Sequence, residues 1–313
     1  MPDTLTRRAV IDIGTNSVKL LVGDVSDGIV TPVFEAGEQT RLGQGLYESN
    51  RLQPEAIART VDCVTRFAAQ TWEMGAATIR VIATSATRDA LNGSELVQAI
   101  QDHANLSTEV ISGSTEAEWV YRGVLSDPEL AAHPLLILDV GGGSTELIVT
   151  AAGERRFDQS FQMGTVRLLE KFPPADPPSP EDFTSCQNWL RELLEHSAGP
   201  LIAPHLPPKG SPQTLLVGTG GAALILARIH LALPDFTREQ MEGLSLSTQE
   251  VSAICERLWS LPLAERRKII GLPPERADVM LMGALIYESV LRQFGISALR
   301  VSTRGLRYAA LVA

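Results

Sequence analysis

Two apolar runs that each end in an acidic residue and a glycine turn constrain the fold of this chain most. Residues 9–17 read AVIDIGTNS, and residues 135–146 read LLILDVGGGSTE. A short apolar run closed by glycine is typical of a buried β-strand that ends in a tight turn. The two acids, Asp12 and Asp139, lie 127 residues apart. The repeat predicts a duplicated α/β protein whose halves carry the same turn.

The residues of both turns suit the binding of phosphate groups. Glycine has no Cβ, so the backbone can approach a ligand closely. Successive backbone N–H groups in such a turn form a concave site for anions, and Ser and Thr hydroxyls add donors. The predicted phosphate-binding residues are Gly14, Thr15, Asn16, Ser17 and the nearby Lys19 in the first half, and Gly141, Gly142, Gly143, Ser144 and Thr145 in the second.

Acidic residues beside the turns predict a metal ion. A carboxylate next to a phosphate is repelled unless a cation lies between them, and Mg²⁺ binds through one or two carboxylates together with substrate phosphates. We therefore expect Asp12, Asp139 and Glu146 to be metal ligands for Mg²⁺, with Mn²⁺ as a substitute. The alternative is that each glycine segment is only a flexible turn after a strand.

Length, charge and cysteine usage narrow the class of protein. A chain of 313 residues is expected to form two domains, at 1–126 and 127–313, with the last helix able to pack back on the first domain. The net charge of −10 argues against nucleic-acid binding, although a local basic cleft can still hold an anionic substrate. Cys63, Cys186 and Cys255 are widely spaced and predict reduced thiols in a cytoplasmic protein. No apolar stretch reaches the ~20 residues needed to cross a membrane.

Hydrophobic periodicity predicts the same order of elements in each half, with three short strands followed by a helix, a strand and a further helix. The predicted helices cover residues 53–72, 94–103, 114–125, 165–172, 180–198, 218–230, 248–260, 275–294 and 305–311. Residues 85–92 are expected to form a loop, and the proline-rich residues 173–180 a linker. This order is similar to the duplicated ribonuclease-H-like domains of the actin, sugar kinase and Hsp70 superfold, an α/β arrangement with a cleft between the domains.

Several segments resemble motifs of the exopolyphosphatase and guanosine pentaphosphate phosphatase family (Ppx/GppA). These segments are RVIATSATRDALN at 80–92, VISGSTEA at 110–117, GTGG at 218–221, ERADV at 275–279 and VSTRGLR at 301–307, together with TRLG at 40–43 and DPPSP at 176–180. The resemblance covers nearly the whole chain. Taken together, these motifs are far more specific than a single glycine turn.

The resemblance implies a hydrolase that releases terminal orthophosphate from inorganic polyphosphate, or from the 5′ end of guanosine pentaphosphate, with Mg²⁺ assisting. It implies that Glu116, which follows the Ile-Ser-Gly turn, activates the attacking water. Arg88 is expected to bind phosphate through its planar fork of donors. Gly218 and Gly220 are expected to approach a phosphate chain or a nucleotide. Weaker basic candidates are Arg41, Arg167, Arg267 and Arg304.

Three positions depart from the family's pattern. Thr115 and Glu118 flank Glu116 where the family commonly has Glu and Arg, and Thr303 stands where Asp is usual. These changes bear on substrate preference and metal affinity more than on activity.

Two other functions stay open, a kinase of the same superfold, which should use an Asp as base, and a nucleotide-binding sensor. Longer family members carry extra helical domains. We therefore expect a homodimer to complete any groove for long polymers.

Overall fold

The computed structural model describes residues 5–151, 153–207 and 214–313. The strands are β1 (Thr6–Ile13), β2 (Val18–Ser26), β3 (Ile29–Glu38), β4 (Thr78–Ala83), β5 (Thr108–Val110), β6 (Leu135–Val140), β7 (Thr145–Ala151), β8 (Glu154–Phe161), β9 (Leu215–Thr219), β10 (Ser245–Ser247) and β11 (Ala298–Val301). The α-helices are α1 (Leu46–Ser49), α2 (Pro54–Glu73), α3 (Ser85–Asp89), α4 (Gly93–Ala104), α5 (Gly113–Leu125), α6 (Pro128–Ala131), α7 (Thr165–Lys171), α8 (Pro180–Leu193), α9 (Gly199–Ile202), α10 (Gly220–Leu231), α11 (Arg238–Met241), α12 (Thr248–Ser260), α13 (Leu263–Arg266), α14 (Met280–Phe294) and α15 (Leu306–Val312).

The chain divides into two compact units. The first unit contains the described residues up to Ser126 together with Gly305–Ala313, and the second unit is Asp127–Arg304. The last helix, α15, therefore belongs to the first unit although it follows the second unit in the chain. Each unit is an α/β structure with its own sheet and its own hydrophobic core.

A five-stranded mixed sheet organises the first unit, in the order β3-β2-β1-β4-β5. The first three strands are antiparallel neighbours, while β4 runs parallel to β1 and β5 parallel to β4. Alternate residues of β1, such as Ile11 and Ile13, join a core with α2 and α4, because side chains along a strand point to opposite faces. Helix α15 packs against β1, β2, β3 and α5.

The second unit repeats this plan with one added strand. Its sheet has the order β10-β11-β9-β6-β7-β8, with β6, β7 and β8 antiparallel and β9 parallel to β6. Leu136 and Leu138 of β6 are fully buried and share one core with α8, α10, α12 and α14. Both glycine turns lie between the first two strands of their sheet. The duplicated α/β fold predicted from the sequence is confirmed.

The helix predicted over 275–294 begins later than expected. Pro274–Arg276 form a 3₁₀ turn, and the next backbone bonds are also tight, from Ala277 N–H to Pro274 O at 3.4 Å and from Val279 N–H to Arg276 O at 3.2 Å. Helix α14 therefore starts at Met280.

The segment 85–92, predicted as a loop, contains the one-turn helix α3. Its helical bonds run from Arg88 N–H to Thr84 O at 3.0 Å and from Ala90 N–H to Ala86 O at 3.2 Å. Five residues are too few for helical periodicity to be visible in a sequence. The same limit explains why strand β10, three residues long, was not predicted.

The proline-rich segment 173–180 is fastened to the second unit at several points and does not behave as a free linker. Asp176 accepts a 2.7 Å hydrogen bond from the N–H of Leu263, the first residue of α13. Ser179 begins α8 with a capping box, in which Asp182 accepts from the N–H groups of Ser179 and Ala175 at 2.9 and 3.0 Å. The helix predicted over 180–198 continues beyond Leu193 as one π-helical turn.

None of the helices in the described ranges is both long enough and apolar enough to cross a membrane.

Candidate active site

The two glycine turns have the same internal hydrogen bond. The N–H of Gly14 donates to Ser17 O at 3.0 Å, and the N–H of Gly141 donates to Ser144 O at 2.9 Å. A Cβ on either glycine would lie 3.2 or 2.9 Å from the same carbonyl oxygen. A side chain would therefore be too close at Gly141 and tight at Gly14, and the duplication extends to single hydrogen bonds.

In the first unit, the turn is held by the segment that follows β3. Gly43 N–H donates to Thr15 O at 2.7 Å, and Arg41 N–H donates to Asn16 O at 3.0 Å. Thr15, Asn16 and Ser17 are all buried. The Asn16 side-chain amide nitrogen has no hydrogen-bond partner among the described residues. These contacts use the carbonyl groups of Thr15 and Asn16 and leave the Asn16 side-chain amide unengaged by the described residues.

In the second unit, the start of α7 holds the glycine turn in the same way. Val166 N–H donates to Gly142 O at 2.8 Å, and the Arg167 Nε donates to Gly143 O at 2.8 Å. The N–H groups of Gly142 and Gly143 make no hydrogen bond within the described ranges. Two adjacent free N–H groups beside a glycine are the arrangement that binds anions.

Two acidic residues lie next to this second turn. Asp139 on β6 is the register partner of Glu146 on β7, so their Cβ atoms are about 5 Å apart on one face of the sheet. Glu146 is buried and accepts hydrogen bonds from Ser144 Oγ at 2.9 Å and Ser160 Oγ at 2.7 Å. These two hydrogen bonds fix the orientation of the Glu146 carboxylate.

The lack of a side chain at Gly220 leaves the space that the Asp139 carboxylate occupies. The φ of Gly220 is +76°, and a Cβ at this position would lie only 2.1 Å from Asp139 Oδ1. Any other residue at 220 would thus be strained and would displace the carboxylate. The adjacent carboxylates, the free N–H groups and this fitted space suit a Mg²⁺ ion bound together with phosphate oxygens.

The corresponding position in the first unit has a different charge. Asp12 is the register partner of Lys19, at the positions equivalent to Asp139 and Glu146. Burial raises the pKa of Asp12, and the positive charges of Lys19 and Arg307 act in the opposite direction. Asp12 is therefore beside a cation of the protein itself, whereas Asp139 is beside a second carboxylate.

Glu116 and Arg88 meet in the first unit. Glu116 lies in the first turn of α5, where the helix dipole stabilises a carboxylate, and is only 8% exposed. Arg88, at the end of α3, donates from Nη1 to Glu116 Oε2 at 3.1 Å and to Ile111 O at 2.8 Å. The structure thus brings together the predicted base and the predicted phosphate-binding arginine.

The residues that flank Glu116 are occupied in local contacts. Ser112 caps α5 by accepting from the N–H of Thr115 at 3.0 Å, and the Thr115 hydroxyl is 2.9 Å from Ser112 Oγ. Glu118 forms an ion pair with Arg122 one turn along the same helix, at 2.5 Å. The negative charge that Glu118 adds is therefore balanced by Arg122.

Thr303 also lies in a polar network. Its N–H donates to Glu242 Oε2 at 2.7 Å, its hydroxyl is hydrogen-bonded to the same carboxylate, and Arg238 donates to that hydroxyl. Ser302 Oγ donates to Glu242 Oε1 at 3.2 Å. Glu242 thus places a carboxylate directly beside the position at which the family's pattern has Asp.

Packing within the second unit explains Gly218. A Cβ there would lie 2.6 Å from Leu299 and 2.9 Å from the ring of Tyr287, so this strand position has no room for a side chain. The Tyr287 hydroxyl donates to Leu138 O at 3.1 Å and to Thr219 O at 3.3 Å, which ties together the ends of β6 and β9. A role for Gly218 in binding phosphate stays a prediction.

Several residues that shape the site were not predicted from the sequence. Ser160 and Tyr287 act through hydrogen bonds to residues that are distant in the chain. Thr145 is predicted to offer its hydroxyl to phosphate, but that hydroxyl donates to Met163 O. Ser160 carries no motif of its own, and only its place opposite Glu146 in the β7–β8 register identifies it. Within the described ranges, no group of three or more His, Cys, Asp or Glu side chains forms a metal site.

Known proteins resemble this chain over most of its length. The model of the Ppx/GppA phosphatase family matches residues 21–312. Exopolyphosphatase 2 of Mycobacterium tuberculosis is 31% identical over 313 residues, covering 95% of each chain. A crystal structure of an exopolyphosphatase from Cytophaga hutchinsonii has a TM-score of 0.88 at 28% identity, covering 98% of this chain and 96% of that one. A Ppx/GppA family member from Aquifex aeolicus has a TM-score of 0.79 at 28% identity, covering 98% and 97%.

Proposed function

The chain belongs to the Ppx/GppA phosphatase family, and from this premise we propose that it is an exopolyphosphatase, which releases terminal orthophosphate from inorganic polyphosphate. The relative that is 31% identical is named exopolyphosphatase 2, which supports polyphosphate as the substrate class. An enzyme with net charge −10 needs local features that attract such an anionic polymer.

The observation that carries the proposal is the second glycine turn with its two acids. Free N–H groups of Gly142 and Gly143 provide neutral donors for phosphate oxygens. Asp139 and Glu146 provide neighbouring carboxylates for a divalent cation. Donors for phosphate and acids for a metal in one short segment favour a metal-bound phosphate as the ligand. A bound Mg²⁺ or Mn²⁺ would neutralise charge on the phosphate oxygens.

Glu116 is proposed as the base. It takes a proton from water, the water oxygen forms a bond to the terminal phosphorus, and the bond from that phosphorus to the bridging oxygen breaks. Orthophosphate and a polyphosphate shortened by one unit are the products. Glu116 lies in the N-terminal turn of α5, where the positive end of the helix dipole favours a negative charge.

Phosphate release tests this function directly. Wild-type protein and Glu116→Gln are incubated with polyphosphates of several lengths, guanosine pentaphosphate and ATP, each with Mg²⁺ and with Mn²⁺. We expect release from polyphosphate by wild type and a loss of about 10²- to 10⁴-fold in kcat for the variant, since general base catalysis contributes that much. Release from guanosine pentaphosphate alone would instead assign the pentaphosphatase activity.

Two other outcomes count against the proposal. An absence of release from every substrate would support a nucleotide-binding sensor or a kinase. Full activity of Glu116→Gln would retain the hydrolase and remove Glu116 as its base. Glu118→Gln is the matched control, because Glu118 is on the same helix and is paired with Arg122.

A further inference from the structure

Arg88 has hydrogen-bond donors on more than one edge, and among the described residues only Nη1 donates side-chain hydrogen bonds. A guanidinium carries five N–H donors in a rigid plane. Nη1 donates to Glu116 and to the Ile111 carbonyl. Nε forms a long ion pair with Asp89 Oδ1 at 4.0 Å, and Nη2 makes no hydrogen bond within the described ranges. No hydrogen bond from the described residues occupies the Nε–Nη2 edge, and the Arg88 side chain is 25% exposed.

The backbone ties Arg88 to the glycine turn of the same unit. Thr84, which begins the turn of α3, donates from its N–H to Ile13 O at 3.1 Å, and Gly14 directly follows Ile13. Arg88 N–H donates in turn to Thr84 O at 3.0 Å. Ile111 N–H donates to Ala83 O at 3.0 Å, which fixes the carbonyl that receives Arg88. Three short hydrogen bonds thus link the end of β1, Arg88 and the residues that lead into α5.

We propose that Arg88 positions the base. Its Nη1 holds the Glu116 carboxylate, while its Nε–Nη2 edge binds an oxygen pair on a phosphoryl group of the polyphosphate. One planar group then sets the distance between the proton acceptor and the phosphorus. This inference rests on the proposed function, in which Glu116 is the base.

The chemistry favours arginine over lysine for this role. A guanidinium can donate from two edges at fixed angles, whereas a lysine ammonium is a single point charge on a flexible stem. Arg88→Lys should keep the attraction for phosphate and lose the fixed geometry. Small errors in the placement of a reacting group cost about 100-fold in rate, so the loss should fall on kcat.

A double-mutant cycle separates this positioning from an independent contact. We measure kcat and KM for phosphate release from polyphosphate with saturating Mg²⁺ in wild type, Arg88→Lys, Glu116→Gln and the double variant. Arg88→Lys should lower kcat about 100-fold with Glu116 present. With Gln at 116 it should lower the remaining rate less than about threefold, because residues that act as a unit are not additive.

Binding gives a readout without turnover. Calorimetry with a short polyphosphate in the Glu116→Gln background should show that Arg88→Lys weakens binding by less than about tenfold, since the charge is kept. Arg122→Lys, which alters the Glu118 ion pair on α5, is the control and should leave both rate and affinity unchanged.

The outcomes are distinct. If Arg88→Lys lowers kcat by the same factor in both backgrounds, or changes KM alone, Arg88 does not act through Glu116 and the inference is overturned. If wild type is inactive or Glu116→Gln is fully active, the proposed function is wrong. These two measurements show this without any Arg88 variant.

Should Arg88→Lys fold poorly by circular dichroism, Arg88→Ala with added guanidinium replaces it. Rescue of kcat only when Glu116 is present supports positioning, and equal rescue in both backgrounds opposes it.

Discussion

Gly220 illustrates how one missing side chain shapes a site. Its positive φ is unfavourable for other residues, and the space where a Cβ would stand is taken by Asp139 Oδ1. Asp139 in turn is the register partner of Glu146. The glycine is thus needed for two separate reasons, its backbone conformation and the position of a carboxylate.

These two reasons can be separated by comparison with Gly75. That glycine has the same φ of +76°, but nothing lies within 4 Å of where its Cβ would be. Gly75→Ala should lower the free energy of unfolding by about 1 kcal/mol, the cost of a left-handed alanine, and leave activity unchanged. Gly220→Ala should lower it further and reduce phosphate release. Urea titration measures the free energy of unfolding of each variant, and a phosphate-release assay measures its activity. Equal effects of the two variants would refute the role of the Asp139 contact.

The charges beside Asp12 and Asp139 predict unequal metal dependence. Asp139→Asn removes one of two neighbouring carboxylates, so the Mg²⁺ concentration for half-maximal activity should rise about tenfold or more. Asp12→Asn should change it much less, because Lys19 is the register partner of Asp12. The measurement is phosphate release against Mg²⁺ concentration. Equal shifts in the two variants would show that both acids bind the ion.

At the scale of elements, hydrogen bonds to a carboxylate at the start of a helix contribute a stabilisation that depends on pH. Asp182 accepts from the N–H groups of Ser179 and Ala175 at the start of α8, and hydrogen bonds from Ser179 and then Ala175 lower its pKa below the ordinary 3.8. Because the pKa of Asp182 is lower in the folded protein than in the unfolded chain, its ionised carboxylate stabilises the fold at pH values above the unfolded-state pKa. This stabilisation is lost as the pH falls through the folded-state pKa.

Asp182→Asn should therefore cost on the order of 1 kcal/mol near pH 7. The cost should shrink as the pH falls below about 4 towards the folded pKa. Urea unfolding of variant and wild type at pH 7 and in the acid range measures this difference. Asp102→Asn on the exposed face of α4 serves as the control and should show little change at either pH. A cost that stayed constant with pH would contradict the role of the charge.

The sequence predicted the elements that have clear periodicity and missed those fixed by distant contacts. Strands β1 and β6 and their turns follow from apolar runs and glycines. The late start of α14 follows tight turns that no periodicity in the sequence marks, and the one-turn helix α3 is too short for any pattern. The Arg88–Glu116 pair joins residues that the motifs named separately, while the contact of Gly220 with Asp139 depends on β9 lying beside β6. Only the sheet order reveals such neighbours.

At the scale of the whole molecule, the two cores contain separate thiols. Cys63 belongs to the core of the first unit, and Cys186 and Cys255 belong to the core of the second. Burial raises the pKa of Cys63 and of Cys186 to about 12, and also raises that of Cys255. The reactive thiolate is thus scarce in the folded protein at neutral pH.

We expect all three cysteines to resist a thiol reagent at pH 8 and to react after unfolding. With increasing urea, Cys63 should be labelled before Cys186 and Cys255, because the first unit is the smaller one and smaller domains bury less of their surface. Peptide mapping after labelling identifies each site. Rapid labelling without denaturant would contradict the buried placement, and simultaneous labelling would show that the two units unfold together.

Helix α15 has a consequence for how the protein is made. Its residues pack on β1, β2 and β3, and backbone carbonyls of Leu311 and Ala310 receive hydrogen bonds from Arg8 and Arg80. A ribosome translates the whole second unit before it reaches this helix. The second unit can therefore fold during synthesis, whereas the first must wait, partly assembled, for its last helix. This reverses the usual rule that the domain translated first is completed first.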